Sequence, residues 1–254
     1  MKAMPSAANT PAITPANTPP DAAATGTFAE ILRSRRSIRA YRDEPVSDTL
    51  LMQLLEMARL APSGANLQPG TFIHVQGAAR QHLSEALTQA FQNGQEEAED
   101  YSYFPDPMAS VYRRRQVAAA RALYGSLGIE RDDRAGRDAQ FARNFSFFEA
   151  PVALLVTIDH DMGTGCYMDL GMALYGLMLA AQAHGLASCA IGALASYPSL
   201  IRQTLGLSAD TAIVCGMALG YADPDAAVNQ TFTQRAQLDA FYRRITSPAA
   251  RASS

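Results

Sequence analysis

The chain carries at residues 33–39 the sequence RSRRSIR, directly after a short predicted helix that begins at Phe28. Four guanidinium groups and two hydroxyls therefore lie within seven consecutive residues. So much positive charge in one segment is costly unless solvent or a bound anion neutralises it. Taken alone, the segment is better explained as a solvated basic surface, and a second motif is needed to decide its role.

Arginine supplies almost all of the cationic side chains. Lys2 is the one lysine in 21 basic residues, so the remaining 20 are arginines. This excludes lysine Schiff-base chemistry and a phosphate-binding P-loop within the folded part of the chain. Any anion held there by a cationic side chain is held by arginine, whose planar guanidinium can donate two parallel hydrogen bonds to phosphate.

The bulk composition indicates a globular protein whose partners are small molecules or a second copy. The 254 residues, 48% of them hydrophobic, suffice for one domain with a sizeable core. A formal net charge of -3 gives no basic field that would attract nucleic acid or an anionic membrane. Cys166, Cys189 and Cys215 lack the paired spacing of zinc or redox motifs. We expect them to be buried free thiols in a reducing cytosol.

The composition changes along the chain predict one folded domain between two tails. Residues 1–26 are rich in Pro, Ala and Thr and are expected to be disordered, without the apolar stretch of a secretory signal. Residues 27–245 are predicted to form the domain, in which the polar and aromatic stretch 92–150 makes a helical cover over the active site. Residues 246–254 are expected to be flexible. A cytoplasmic location follows from the absence of a signal.

Hydrophobic periodicity predicts alternating helices and strands. Predicted helices begin at Phe28 and at Ser47–Asp48, run from Ala78 to about Phe91, from Gly163 to His184 and from Pro198 to Leu205, and two or three more lie within 92–150. Predicted strands are Thr71–Val75, Val152–Ile158, Ala187–Ile191 and Thr211–Leu219. The order is compatible with an α/β or an α+β sheet with helices on both faces.

The predicted helix Gly163–His184 is apolar on nearly all sides. We expect it to be buried all round and to be shared with a second subunit. A membrane span is disfavoured because Asp169, Gly171 and Gln182 interrupt it and its unbroken apolar part is shorter than about 18 residues.

Most familiar catalytic motifs are absent from the sequence. There is no G-x-S-x-G, H-E-x-x-H, Walker or G-x-G-x-x-G motif. His74, His82, His160 and His184 are isolated and are expected to be structural or solvated rather than metal ligands. A hydrolase or a metalloenzyme is therefore disfavoured.

The second motif is the loop sequence APSGANLQP at residues 61–69. Following RRSIR by some two dozen residues, it resembles the nitroreductase family of FMN enzymes, whose opening reads arginine-x-serine-x-basic and then P-S-x-x-N-x-Q-P. The segments GLASC at 185–189, IRQTLGL at 201–207 and CGMALGYAD at 215–223, followed by Asn229 and Arg235, are similar to later blocks of that family. The resemblance covers about residues 28–242 and is weakest over 92–150.

The resemblance implies an α+β, three-layer α/β/α fold with a central mixed sheet, and a long buried helix at the interface of a homodimer with shared active sites. It implies that four residues bind the flavin phosphate and the pyrimidine edge, namely Arg35, Arg36, Ser37 and Arg39. Arg235 would close on the phosphate from the far end of the chain. It implies that five loop residues contact the flavin that is bound mainly by the other subunit. These residues are Pro62, Ser63, Gly64, Asn66 and Gln68. The resemblance also implies that four residues lie along the isoalloxazine ring, with one backbone N–H donating a hydrogen bond to the reactive flavin nitrogen. These residues are Ala190, Ile191, Gly192 and Ala193.

Two departures from the family pattern affect the expected pocket. Gly70 replaces the usual aromatic residue after Q-P, which predicts looser packing around the loop. Gly192 stands where some members have an acidic side chain, which predicts a wider space above the flavin. Aromatic residues of the cover are candidate substrate contacts, although such residues more often belong to the plain core. These residues are Tyr103, Phe104, Phe145 and Phe148.

The resemblance implies an enzyme in which NAD(P)H reduces FMN and a nitroaromatic compound or quinone then takes the electrons, with ping-pong kinetics. The cofactor would carry the chemistry, so no catalytic protein side chain and no metal is expected. Two alternatives remain: a relative with other flavin chemistry, such as reductive dehalogenation or consumption of the flavin, and a non-catalytic flavin-binding module.

Overall fold

The computed structural model describes residues 26–246, and over this range the chain forms seven α-helices and four β-strands. The predicted tail 1–26, apart from Gly26, and the predicted C-terminus 246–254, apart from Thr246, lie outside the described residues. The helices are α1 (Phe28–Ser34), α2 (Asp48–Ala58), α3 (Gly77–Gln92), α4 (Ser110–Ser126), α5 (Arg134–Ala142), α6 (Thr164–Ala183) and α7 (Pro198–Leu205). The strands are β1 (Thr71–His74), β2 (Val152–Asp159), β3 (Ala187–Ile191) and β4 (Thr211–Gly220).

Local sequence signals explain several of the helix ends. Thr27 and Glu30 form a reciprocal capping box at the start of α1, and the Ser47 side chain accepts a hydrogen bond from the Leu50 N–H at the start of α2. Helix α7 begins at Pro198 and ends at Gly206, which adopts the left-handed conformation. The predicted elements therefore agree with the structure to within a few residues.

The four strands form one sheet in the order β1-β2-β4-β3, and all three pairings are antiparallel. The expected mixed sheet is therefore wrong for the strands themselves. The parallel contact in the described chain is an isolated bridge between Ser37 and Ser188, at the outer edge of β3.

Helices cover both faces of the sheet. Ala153 and Leu155 of β2 point into a core shared with α3 and α7, whereas Val152 and Leu154 point into a core shared with α2 and α6. The alternation follows from the two-residue period of a strand. Fully burying one such aliphatic side chain stabilises the fold by about 1.5–3 kcal/mol. The fold is thus α+β, with a helical layer on each side of an antiparallel sheet.

Helix α6 differs from the prediction that it is buried all round. Met168, Met172 and Tyr175 are 68%, 37% and 44% exposed, and with Gly171 they follow one face of the helix. The opposite face, including Leu170 and Leu177, is buried. One chain supplies neighbours for only one side of this helix. Over residues 26–246, no helix is long and apolar enough to cross a membrane.

The stretch 92–150 contains the two helices α4 and α5, which agrees with the predicted number. Helix α4 has no buried residue, while α5 buries Gln140. The segment before α4 is irregular and packs against β4 and α7 through the contacts described below. Whether this region covers the active site stays a prediction at this point.

Candidate functional site

Residues 33–39, here called the arginine segment, lie along the outer edge of strand β3. The Ile38 N–H donates a hydrogen bond of 3.1 Å to the Ser188 carbonyl, and the Tyr41 hydroxyl donates one of 2.7 Å to the Ile38 carbonyl. The Arg42 N–H then donates to the Tyr221 carbonyl beyond the end of β4. Edge strands offer unpaired backbone groups, so β3 can fix an irregular segment in this way.

The buried side chain of Asn229 joins the arginine segment to the C-terminal part of the chain. Its oxygen accepts a hydrogen bond of 2.8 Å from the Arg39 N–H, and its amide nitrogen donates to the carbonyls of Ala40 and Asp223. The Asn229 carbonyl accepts a 2.8 Å hydrogen bond from the Arg36 guanidinium. Asn229 is 3% exposed, so its polar atoms depend on these partners.

Arg35, Arg36 and Arg39 are half-buried, and none of the three has a carboxylate partner in the part of the chain that the structure describes. Arg36 lies 4.4 Å from the centre of the Phe232 ring, and Arg39 lies 6.0 Å from that of Phe148. Burial raises the pKa of the Cys189 thiol, and the nearby positive charges of Arg39 and Arg35 lower it in part. Unpaired arginines together with the Ser37 hydroxyl suit a dianionic phosphate.

The end of β3 continues into a 3-10 turn at Gly192–Ser196. Ala190 pairs with Met217, and Ile191, whose side chain is buried in the core, pairs with Gly216. The residues at positions 190, 192 and 193 are small, and small residues allow a close approach to the backbone. The arginine segment and this turn are brought together because both adjoin β3.

The Tyr103 ring fills the space beside Gly192. A Cβ atom added to Gly192 would lie 2.9 Å from Tyr103 Cε2 and 3.2 Å from its hydroxyl oxygen. The expectation that Gly192 widens the space above the flavin is therefore wrong, because an aromatic residue of the cover takes up that space. Tyr103 remains 49% exposed, and burial of the rest of the ring raises the pKa of its hydroxyl.

The segment that carries Tyr103 is anchored by a buried carboxylate. Asp100 accepts hydrogen bonds of 2.7 Å from Arg202 in α7 and 2.8 Å from the Ile213 N–H in β4. The neighbouring Tyr101 hydroxyl donates a 2.7 Å hydrogen bond to the Val214 carbonyl. Burial raises the pKa of Asp100, but the hydrogen bonds from Arg202 and Ile213 outweigh it, so the pKa lies below its usual value. The carboxylate is therefore charged at neutral pH.

The four candidate substrate residues lie in two different environments. Tyr103 and Phe104 are 49% and 56% exposed and contact each other with ring centres 4.8 Å apart. Phe145 and Phe148 are 0% and 1% exposed and belong to the core under β2. Their predicted role as substrate contacts is wrong for this chain, since α3, α7 and the sheet enclose both rings.

The loop APSGANLQP is exposed and lies beside α6. Its Gly64 N–H donates a 2.9 Å hydrogen bond to the buried carboxylate of Asp169, and the Gln68 N–H donates one to the Ser63 hydroxyl. Asn66 and Gln68 both adopt positive φ angles. No hydrogen bond within residues 26–246 joins this loop to the arginine segment. The contacts of the loop within one chain are with α6, and the predicted flavin contacts of Pro62, Ser63, Gly64, Asn66 and Gln68 stay a prediction.

Gly70 packs tightly rather than loosely. A Cβ atom added there would lie 2.5 Å from Leu170 Cδ1 and 3.0 Å from the Thr157 carbonyl oxygen, and its φ angle is +93°. The predicted loosening of the loop is therefore wrong. Glycine is needed at this position because β2 and α6 approach the backbone more closely than a larger residue allows.

Arg235 lies in the irregular segment after Asn229. Its guanidinium donates to the carbonyl and the hydroxyl of Thr233 and lines a cleft together with Phe232 and residues of α4. Since Phe232 also contacts Arg36, the cleft begins next to the arginine segment.

Three residues that shape this region were not predicted as site residues. Asn229 was noted in the sequence only as part of the family resemblance, and Asp169 only as an interruption of an apolar helix. Asp100 gave no signal, because its partners Arg202 and Ile213 are about one hundred residues away. A single acidic residue within an apolar helix indicates a buried carboxylate that needs a hydrogen-bond donor. This signal could have identified Asp169 as the residue that holds the loop at Gly64.

Comparisons with known proteins identify the family. The family model "Nitroreductase family" matches residues 32–221. A 4-nitrobenzoate reductase of Pseudomonas putida is 38% identical over 217 residues, which are 85% of this chain and 95% of that protein.

Two solved structures are similar in both fold and sequence. The FMN and NADPH-dependent nitroreductase NfnB of Sphigopyxis sp. strain HMH has a TM-score of 0.84 and 38% identity, covering 87% of this chain and all of that one. The FMN-dependent nitroreductase NfnB of Mycobacterium smegmatis, solved in complex with NADPH, has a TM-score of 0.81 and 31% identity, covering 86% and 97%. With a matched family model over most of the folded chain, the protein belongs to the nitroreductase family of oxidoreductases.

Proposed function

We propose that this protein is an FMN-dependent enzyme that reduces nitroaromatic compounds with electrons from NAD(P)H, by ping-pong kinetics. The observation that carries the proposal is the half-buried arginine segment, which has no carboxylate partner in the described chain and is fixed between β3 and Asn229. The relatives named above reduce nitroaromatic compounds or are named as FMN and NADPH-dependent.

FMN, when bound, supplies the electron transfer between the nicotinamide and the nitro compound. The guanidinium groups of Arg35, Arg36 and Arg39 and the Ser37 hydroxyl bind its phosphate and the polar edge of its ring. Arg235 approaches the phosphate from the C-terminal segment. The backbone from Ala190 to Ala193 lies along the ring, where small side chains allow close approach.

Tyr103 and Phe104 contact the aromatic substrate in this proposal. Both rings are half-exposed: Tyr103 lies beside Gly192 and Phe104 contacts Tyr103. Asp100 fixes the segment that carries them. Aromatic side chains bind planar rings by offset stacking or edge-to-face contact, worth about 0.5–1.5 kcal/mol beyond the buried area. This supports a planar nitroaromatic substrate.

The active form in this proposal is a homodimer with two shared sites. The exposed apolar stripe on α6, from Met168 to Tyr175, and the exposed side chain of Leu67 in the APSGANLQP loop are surfaces that a second copy would bury. The loop residues Asn66 and Gln68 then contact the FMN held by the arginine segment of the partner subunit. Met172→Asp should therefore give a monomer that also binds FMN more weakly, whereas the exposed Met52→Asp on α2 serves as the matched control.

FMN titration of the apoprotein tests the proposal. Each lost arginine–phosphate hydrogen bond costs about 1.5–3 kcal/mol, so Arg35→Ala and Arg235→Ala should each weaken FMN binding about tenfold or more. Arg42→Ala is the control, because Arg42 is exposed and its side chain pairs with Glu44. Wild-type protein that cannot be reconstituted with FMN would refute the proposal.

A further inference from the structure

A second group of arginines lines the cleft between α4 and the C-terminal segment. Residues at positions 111, 114, 115, 118, 119 and 122 follow one face of α4, and this face lines a cleft of about 1190 Å³. Arg114, Arg115 and Arg121 contribute guanidinium groups from the helix, and Arg235 contributes one from the opposite wall. No acidic residue lines the cleft in the described chain.

These guanidinium groups have no carboxylate partner within residues 26–246. Arg114 hydrogen-bonds the Ser110 hydroxyl, Arg115 lies 5.7 Å from the centre of the Tyr112 ring, and Arg235 bonds only Thr233. Elsewhere on the surface, Arg59, Arg134 and Arg143 each pair with an acidic residue. Four like charges facing one cleft repel each other, and an anion in the cleft offsets that repulsion.

One phosphate does not account for all of this charge. The FMN phosphate of the proposed function is bound by the segment at Arg35–Arg39, and Arg235 reaches it from the near end of the cleft. The three arginines of α4 lie on the other wall and remain without an anion. The cleft also exceeds the 300–1,000 Å³ of a typical small-ligand pocket.

The cleft also presents aromatic surface. Phe232 and Phe241 line it and are 66% and 89% exposed. Aromatic faces between arginines suit a ligand that combines a flat base with phosphate groups. An aromatic acid such as a nitrobenzoate would bring a single negative charge, which fits fewer of the arginines.

We propose that Arg114, Arg115 and Arg121 bind the adenosine 2′-phosphate half of NADPH, which makes the enzyme prefer NADPH to NADH. The inference rests on the proposed function, because it assigns the far end of the electron donor at that same site. Guanidinium forks match phosphate oxygens, and the 2′-phosphate is the group by which NADPH differs from NADH. The aromatic faces of Phe232 and Phe241 receive the adenine.

The test measures flavin reduction by NADPH and by NADH in anaerobic rapid-mixing experiments on the FMN-loaded enzyme. Arg114→Ala and Arg121→Ala, seven residues apart on one side of α4, are made singly and together. Arg113→Ala is the matched control, because it removes the same charge from the same helix but does not line the cleft. Inhibition by adenosine 2′,5′-bisphosphate, with adenosine 5′-phosphate for comparison, probes the 2′-phosphate without any turnover.

We expect each cleft variant to lower the second-order rate constant with NADPH about tenfold, with NADH little changed, and to weaken adenosine 2′,5′-bisphosphate binding by the same factor. Arg113→Ala should resemble wild type. An equal loss with both nucleotides, a loss of FMN, a rise in KM confined to 4-nitrobenzoate, or a change in oligomeric mass would each overturn the inference. Wild-type enzyme that either nucleotide fails to reduce would instead refute the proposed function.

Discussion

The Tyr103 ring lies against Gly192, so closely that a Cβ atom on residue 192 would come within 2.9 Å of the ring. This contact joins the cover to the turn that follows β3, about ninety residues further along the chain. The turn follows β3, whose outer edge holds the arginine segment. Because the Tyr103 ring rests on Gly192, the position of this ring relative to the proposed flavin depends on the size of residue 192.

Gly192→Ala should displace the Tyr103 ring and lower kcat/KM for nitroaromatic substrates about tenfold or more, since small displacements of positioning groups have large kinetic effects. FMN binding should be retained. Steady-state kinetics with a nitrobenzoate measure the effect. In a double-mutant cycle, Gly192→Ala should add little to the effect of Tyr103→Ala, because the clash is then gone. Fully additive effects would show that the two residues do not interact.

Asn229→Ala should weaken both the fold and FMN binding. Removing the side chain leaves the Arg39 N–H and the Ala40 and Asp223 carbonyls without their partner, at a cost of about 1–3 kcal/mol for each buried group left unpaired. Urea unfolding and FMN titration measure the two effects. The neighbouring Gln230→Ala removes one exposed hydrogen bond, to the Pro224 carbonyl, and should change little. Equal effects of the two substitutions would contradict the role given to Asn229.

Local patterns predicted the elements of this fold well, because caps, prolines and hydrophobic periodicity act within a few residues. The Ser47 cap and the Pro198 start of α7 are examples. The sheet order β1-β2-β4-β3 and its antiparallel pairing were not predictable in this way. Pairing joins residues far apart in sequence, and an apolar strand buried on both faces has the same composition in a parallel or an antiparallel sheet.

The candidate site was predicted only through the family resemblance. The resemblance indicates flavin-binding roles for the arginine segment and Arg235, which stay a prediction, because the arginines alone are indistinguishable from a solvated surface. Phe145 and Tyr103 are both aromatic residues of one polar stretch, yet Phe145 is buried in the core and Tyr103 is half-exposed. Asp100 shows the same limit, since its role depends on partners that tertiary folding brings to it.

Gly70→Ala should destabilise the protein by more than the backbone strain alone. The methyl group would meet Leu170 and the Thr157 carbonyl, and overpacking of this kind costs about 1–3 kcal/mol. Gly94→Ala is the control for strain, because Gly94 also has a positive φ angle but nothing lies near its Cβ position. It should cost only about 1–2 kcal/mol. Thermal and urea unfolding measure the stability of both variants. Equal losses of unfolding free energy would show that the tight packing at Gly70 does not contribute to the effect.

Asp100→Asn should make the stability of the protein less sensitive to acid. The pKa of Asp100 is lowered in the folded protein, so its contribution is complete above the unfolded value of about 3.9 and is lost as the pH falls through the lower folded value. At neutral pH the variant should be about 1–3 kcal/mol less stable. This difference should shrink below about pH 4.

Urea unfolding at a series of pH values measures the Asp100 effect. Asp161→Asn, at an exposed position, is the control and should show no such pH dependence. A constant difference between wild type and Asp100→Asn down to the lowest pH would contradict the charged pair with Arg202. Substrate KM should also rise in this variant, because Asp100 fixes the segment that carries Tyr103.

The most direct test of the central claim separates the two halves of the reaction. FMN-loaded protein is reduced by NADPH without oxygen, freed of nucleotide, and then mixed with a nitrobenzoate or a quinone. We predict that the bound flavin is reduced and stays reduced in the absence of an acceptor. The nitro compound then reoxidises it by taking two electrons and two protons, which converts the nitro group to a nitroso group and releases water. Flavin that NADPH does not reduce, or reduced flavin that no nitroaromatic compound reoxidises, would contradict the account.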